Sequence, residues 1–316
     1  MEQAFGVPIE MGDLRCLVGD FQQVAGIREM RFANGPESGA RLLQIRNAAG
    51  LCVELLPDRC LDIGQVWLHG VPFAWMGPGG LPSRSGVPAM DEALGGLMTT
   101  CGFDHIRAAE TVAGHPYPQH GSMARRPARL CSAKRVDEPQ GSAFVVEAET
   151  VHASLKGSEY RLFRRIEIPF SKNEIRLADR LSVVRPAASF ALYHVNLGYP
   201  LISDSTAVTT DGTARDELFE AEPNTHAARA PAAPYRVEVQ ARHGSRRLSF
   251  GLQADGRELP WLQTHRRAEP GINLFCVEPV THAHRTHAEL LAAEARPFPP
   301  QRAFTLSFQF RVDSSG

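Results

Sequence analysis

The sequence predicts an all-β protein, a large antiparallel sandwich or barrel. Three observations carry this. Apolar and polar residues alternate with a period of two through much of the chain. The 27 Gly and 23 Pro punctuate that alternation at short spacing. Long amphipathic helical patterns are missing. Taken in order, RLLQIR (41–46) and LCVELL (51–56) read as strands joined by the turn residues NAAG. AFVVEAETV (143–151), EYRLFRRIEI (159–168) and EIRLADRLSVV (174–184) follow, the last two separated by FSKN. YHVNLGYP (193–200) is a strand closed by Pro200, and YRVEVQ (235–240) and RRLSFGL (246–252) come next. The clearest strand is FTLSFQFRV (304–312). There Phe304, Leu306, Phe308, Phe310 and Val312 alternate with Thr305, Ser307, Gln309 and Arg311. Two short helices are expected, at PAMDEALGG (88–96) and HAELLAAEA (287–295). GPGGLPSRSGVP (77–88) reads as a long surface loop of the kind that often carries function. ARAPAAPY (228–235) reads as an exposed loop rather than a linker, because the strand signals on both sides are alike. Residues 1–316 are therefore read as one domain.

Composition narrows the function. The 316 residues are 43% hydrophobic and 22% charged, enough to bury a sizeable core without staples. A net charge of −1 leaves no electrostatic footprint for nucleic acid or an anionic membrane. The expected partner is a small neutral or mildly charged molecule. MEQAFGVPIEMGD lacks the basic start and apolar core of a secretory signal. No stretch reaches the ~18 uncharged apolar residues of a membrane span. The six cysteines are scattered without a C-x-x-C pair, which reads as reduced thiols of a cytoplasmic protein. Cys101 alone sits in a context that invites more than packing.

Four constellations hold chemistry. In YHVNLGY, His194 and Asn196 share one face of a strand while Val195 and Leu197 share the other. In PQHGSM, His120 precedes a glycine. In FCVEPVTHA, Glu278 directly follows the apolar run Leu274–Val277 and precedes a breaking proline. In LLPDRCLDIG, Asp58, Arg59 and Asp62 interrupt an apolar strand signal. Each has a bland alternative: a satisfied core histidine, or a turn with an internal salt bridge. Glu278 is the sharpest of them, because a carboxylate next to the interior needs a partner or a raised pKa. That is how a general base is made, and structural ion pairs do the same. THAHRTH offers His282, His284 and His287 to a metal, but no local Cys or carboxylate cluster completes a four-ligand set, so no metal is expected. Ser122 has no G-x-S-x-G elbow around it. G-x-G-x-x-G and the P-loop are absent, so no nucleotide cofactor is expected.

An HG motif, an H-x-N-L strand and a late Glu-Pro, in that order on an all-β chain, resemble the aldose 1-epimerase (galactose mutarotase) superfamily. The closer resemblance is to its uncharacterised bacterial branch. PDRCLDIG (57–64), GGLMTTCGFDHI (95–106), QHGSMARRPARL (119–130), YHVNLGYPLI (193–202) and VEPVTHA (277–283) carry it. The resemblance implies a β-supersandwich with a sugar-sized cleft and no cofactor. It also implies anomer interconversion with His194 as acid at the ring oxygen, Glu278 as base at the anomeric hydroxyl, and His120 on the ring-oxygen side. Arg59, Asp62, Asp104, His105, Asn196, Arg126 and Trp261 are the residues expected around the substrate. For Asn196, holding its strand neighbours is the preferred reading over bonding a hydroxyl, and for Trp261 a plain core role is the alternative. The pattern departs from the family at Ser122, where the studied mutarotases have glycine and the bacterial branch usually arginine. Arg125 and Arg126 lie close by. For the family's binding aspartate, Asp211, Asp216 and Asp255 are candidates. Rival readings are a carbohydrate-binding sensor, an isomerase or lyase for acidic sugars, and a metal-dependent hydrolase. The partner is a small carbohydrate, with a homodimer left open.

Overall fold

The computed structural model describes residues 2–4, 6–81, 94–138, 141–155, 159–184, 188–220, 226–229, 234–283, 285–293 and 300–314. Two large antiparallel sheets dominate the described residues. The first has ten strands. Across the sheet they run His226–Arg229, Trp261–Arg267, Leu274–Val280, Phe190–Leu197, Met98–Phe103, Asp62–Leu68, Leu51–Leu56, Arg41–Arg46 and Gly26–Arg31, with Val71–Pro72 paired to Asp62–Leu68. The second has nine: Arg129–Glu138, Gly141–Ala153, Glu159–Pro169, Glu174–Val183, Gln301–Ser314, Arg246–Ala254, Tyr235–His243, Ala207–Thr210 and Thr213–Ala214. The all-β expectation is met, and the strands read at 41–46 and 51–56 occupy those residues.

Alternation buries one face of each strand in a cluster shared by both sheets. Phe304, Leu306, Phe308 and Phe310 point inward from Gln301–Ser314, while Thr305 and Arg311 are exposed. Rings meet across the interface, Phe73 against Phe310 at 5.2 Å and Tyr193 against Phe304 at 5.9 Å. The middle of the ten-stranded sheet behaves differently. Met98–Phe103, Phe190–Leu197 and Leu274–Val280 are buried on both faces. Ala191, Tyr193, Val195 and Leu197 enter the shared core; Phe190 and Leu192 pack outward with Cys101, Ile106, Val280 and Leu290. A second layer of loops and the helix His287–Ala293 therefore covers the outer face. Residues 82–93, with most of the expected loop and helix there, lie outside the described residues, as do 230–233 of the expected loop at 228–235. That loop instead begins in a strand, His226–Arg229. No described helix is long and apolar enough to cross a membrane. All six cysteines are free, and buried Cys101 lies among apolar side chains.

One buried ionic network joins the sheets. Arg164 grips Asp179 in a two-pronged pair of 2.8 and 2.7 Å, both residues from the nine-stranded sheet. Its remaining nitrogen reaches across to Asp62 Oδ1 at 3.1 Å and to the carbonyls of Cys60 and Leu61 at 3.2 and 3.4 Å. Tyr193 donates to Asp179 at 2.7 Å from the opposite sheet. Cys60 and Leu61 both have φ of 55°, a left-handed pair that closes the PDRCLD turn. Removing one partner of such a network strands the other charge in the interior. Asp179→Ala is expected to cost about 3–5 kcal/mol of unfolding free energy, measured by denaturant titration.

Candidate active site

The outer face of the ten-stranded sheet carries a row of polar side chains where apolar ones would be expected. Register aligns Thr99 with His194, Val195 with Val277, and Gln263 with Glu278. Thr99, His194, Glu278 and Gln263 thus stand side by side on four neighbouring strands. His194 Nε2 lies 3.4 Å from Glu278 Oε1. Both residues are nearly inaccessible, at 4% and 1% exposure.

Every other polar atom of the pair is held. Asn196 Nδ2 donates to the Gly96 carbonyl at 3.0 Å, which orients the amide and turns Oδ1 towards His194. His194 Nδ1 therefore carries the proton it gives to Asn196 Oδ1 at 2.6 Å. Gln263 Nε2 donates to Glu278 Oε2 at 2.6 Å, and Gln263 Oε1 accepts from Arg107 Nε at 2.9 Å. What remains is His194 Nε2 beside Glu278 Oε1. Burial raises the Glu278 pKa, while His194, Gln263 and Arg107 draw it back down.

His120 stands over this pair, its ring perpendicular to that of His194 at 5.1 Å. Its Nδ1 accepts from the Arg107 backbone at 3.3 Å, leaving the proton on Nε2. Burial first, then His194 and Arg107, push its pKa well below the ordinary 6.5. The HG turn explains its glycine. Gly121 has φ 76°, and a Cβ there would lie 2.4 Å from the His105 carbonyl oxygen. Asp104 holds the same turn, accepting from Ser122 N at 2.9 Å and Ser122 Oγ at 2.8 Å.

The remaining predicted residues divide. Arg59 is buried, 3.3 Å from Thr99 Oγ1, so it borders the row. Trp261 is half-buried two residues before Gln263 on the same face. Asp62 is turned away, into the network between the sheets, where it also accepts from Thr100 Oγ1 at 2.5 Å. His105 is tied to Ala108 O at 2.6 Å and to His287 at 2.9 Å. Arg126 is exposed. Asp211, Asp216 and Asp255 sit away from the row, bonded to Arg236 N, Val208 N and Arg257. His282 and His287 lie apart from the row as well, and His284 lies outside the described residues. Residue reading overlooked Gln263 and Arg107. Gln263 falls two places from Trp261 in the alternation, and Arg107 directly follows GFDHI.

Among the described residues, His194, Cys276 and Glu278 form one group whose donor atoms lie within 4.8 Å of one another, the spacing a metal ion needs. His194 offers it only Nε2, already against Glu278, and burial raises the Cys276 thiol pKa well above its usual value. A charged groove on the outer face of the nine-stranded sheet is internally paired, Arg176 to Glu167 at 2.8 Å and to Glu174 at 3.0 Å.

This architecture is the galactose mutarotase-like sandwich. It is similar to the "putative aldose 1-epimerase" of Klebsiella pneumoniae subsp. pneumoniae MGH 78578 (TM-score 0.73, 17% identity, 96% of this chain and 87% of that one). A galactose mutarotase related enzyme from Lactobacillus acidophilus matches at 0.58 and 12%, over 84% and 96% of the two chains. Galactose 1-epimerase from Lactobacillus acidophilus NCFM matches at 0.55 and 12%, over 91% and 99%. The family model that matches, over residues 37–311, is the domain of unknown function DUF4432, and the chain belongs to that family. No curated protein matches it.

The depressed His120 pKa ties stability to pH. The neutral ring fits the fold, so stability present above about 6.5 is lost as the pH falls towards the native pKa. Denaturant titrations from pH 7.5 to 5 should show a shallower fall for His120→Gln than for wild type.

Proposed function

We propose that this protein is a sugar 1-epimerase, with Glu278 as base and His194 as acid. The observation that supports this best is the 3.4 Å approach of His194 Nε2 to Glu278 Oε1 on neighbouring strands, with their other polar atoms tied down. Mutarotation moves protons on two oxygens borne by the same carbon, the anomeric hydroxyl and the ring oxygen. Acid and base must therefore stand almost in contact, as these two do.

In the productive state the shared proton is on His194 Nε2. Glu278 takes the anomeric proton as His194 protonates the ring oxygen, and the C1–ring oxygen bond breaks. The open chain turns about C1–C2. Closure on the other face returns one proton to His194 and delivers the other from Glu278 to the new anomeric oxygen. The pair ends as it began, so the cycle needs no external proton. Desolvation raises the energy of the charged form of Glu278, which suits a group that must hold and release a proton.

His120 Nε2–H is assigned to the ring-oxygen side, Arg59 to hydroxyls and Trp261 to the sugar's apolar face. Asn196 sets the His194 tautomer rather than binding sugar. Asp104 and His105 act through the covering loop, and Asp62 through the core. Arg126 is left as a group at the rim. A carbohydrate-binding protein without turnover is the alternative outcome. Anomer exchange followed by NMR on freshly dissolved sugars tests it. Glu278→Gln and His194→Gln should each slow exchange by about 10²–10⁴-fold. Saturable sugar binding without any acceleration by wild type would replace the enzyme with a sensor.

A further inference from the structure

Among the described residues three arginines are buried: Arg59, Arg107 and Arg164. Three carboxylates are buried with them: Asp62, Asp179 and Glu278. Arg164 is matched to Asp179. Asp62 accepts from Arg164 and is the charge that acts most strongly on Arg59. Glu278 lies beside His194, and Arg107 makes no hydrogen bond to any of the three carboxylates.

Arg107 has the contacts of a group waiting for an anion. It is 7% exposed. Its Nε meets the amide oxygen of Gln263 at 2.9 Å and its Nη2 the carbonyl of His282 at 2.7 Å, both neutral acceptors. Its Nη1, like that of Arg59, is buried without a hydrogen-bond partner among the described residues. Leaving a buried guanidinium N–H unmade is costly. Arg164 shows the contrast, with its N–H groups on two carboxylates and two carbonyls. The charge that acts on Arg107 is Glu278, and Glu278 loses its own charge whenever it takes up the substrate's proton.

We propose that the sugar this site accepts is a monoanion, a sugar acid whose carboxylate is held by the Arg107 guanidinium at the Gln263 end of the row. The inference rests on the epimerase reading and adds its substrate class. A carboxylate fits for two reasons. Its single charge matches that of one guanidinium, and its planar oxygens match a guanidinium edge. A phosphate dianion would overshoot and leave a negative charge buried. The same bonds make Arg107 a positioning residue for Glu278 through Gln263.

The test compares anomer exchange for hexuronates and 2-ulosonates with that for neutral aldoses and ketoses of the same stereochemistry, and for the hexose 6-phosphates. For at least one carboxylated sugar, kcat/KM should exceed that of its neutral counterpart by about a hundredfold. Arg107→Gln should bring that ratio close to one, mainly through KM, and Arg107→Lys should retain part of it. Competition in wild type, sugar acid against neutral sugar, reads the same preference without any variant and covers a variant that fails to fold. Equal or better turnover of the neutral or phosphorylated sugars overturns the proposal and leaves the epimerase standing. So does a ratio that Arg107→Gln does not change. Tight binding of a sugar acid, lost in Arg107→Gln, with no anomer exchange of any sugar, keeps the anion site and removes the epimerase. Failure of every sugar acid to bind or turn over overturns the anion site.

Discussion

The buried Arg164–Asp179 pair is the constraint on which the site depends. Its guanidinium crosses between the sheets and collects the carbonyls of Cys60 and Leu61, the carboxylate of Asp62 and, through Asp179, the hydroxyl of Tyr193. Each of these is next to a residue of the outer face. Arg59 precedes the Cys60–Leu61 turn, Thr99 precedes the Thr100 that bonds Asp62, and His194 follows Tyr193. Because successive strand residues face opposite ways, a strand gripped on its inner face presents its outer side chain at a fixed place. Two buried charges gain little over a well-packed apolar pair. Here they determine where three residues of the opposite face stand.

On that face, the sheet itself does the positioning. Adjacent antiparallel strands bring opposed side chains within about 5 Å at Cβ. Thr99, His194, Glu278 and Gln263 come into line because register aligns them. Asn196 and Gln263 then remove the remaining freedom, Asn196 hydrogen-bonding the far side of His194 and Gln263 that of Glu278. Both groups are buried, and the pKa of Glu278 rises while that of His120 falls, both from lost solvation. Burial acts on Arg107 in the same sense, lowering its pKa to about 10.

The half-buried strands were legible because one face meets the core and the other meets water. FTLSFQFRV, EYRLFRRIEI and EIRLADRLSVV alternate for that reason, and each appears where its pattern places it. Asp62–Leu68 and Met98–Phe103 are covered on both sides, so their residues carry no such contrast and gave no strand signal. His194, Glu278 and His120 stood out because imidazole and carboxylate are conspicuous beside apolar runs. Gln263 and Arg107 did not, since an amide in a strand and an arginine after a loop look like surface until the cover over them is seen.

By itself the sequence determined the all-β class and the strand faces, and it drew attention to His194 and Glu278, because these follow from local alternation and side-chain chemistry. Only the tertiary structure decided that Asp62 and Asp104 serve the framework rather than the row, that Asn196 holds His194, and that Arg107 is buried with its Nη1 unpartnered among the described residues. Those facts depend on which strands are neighbours and what lies over them. Residues 84 places apart, such as His194 and Glu278, are brought to 3.4 Å by a pairing that no local pattern encodes.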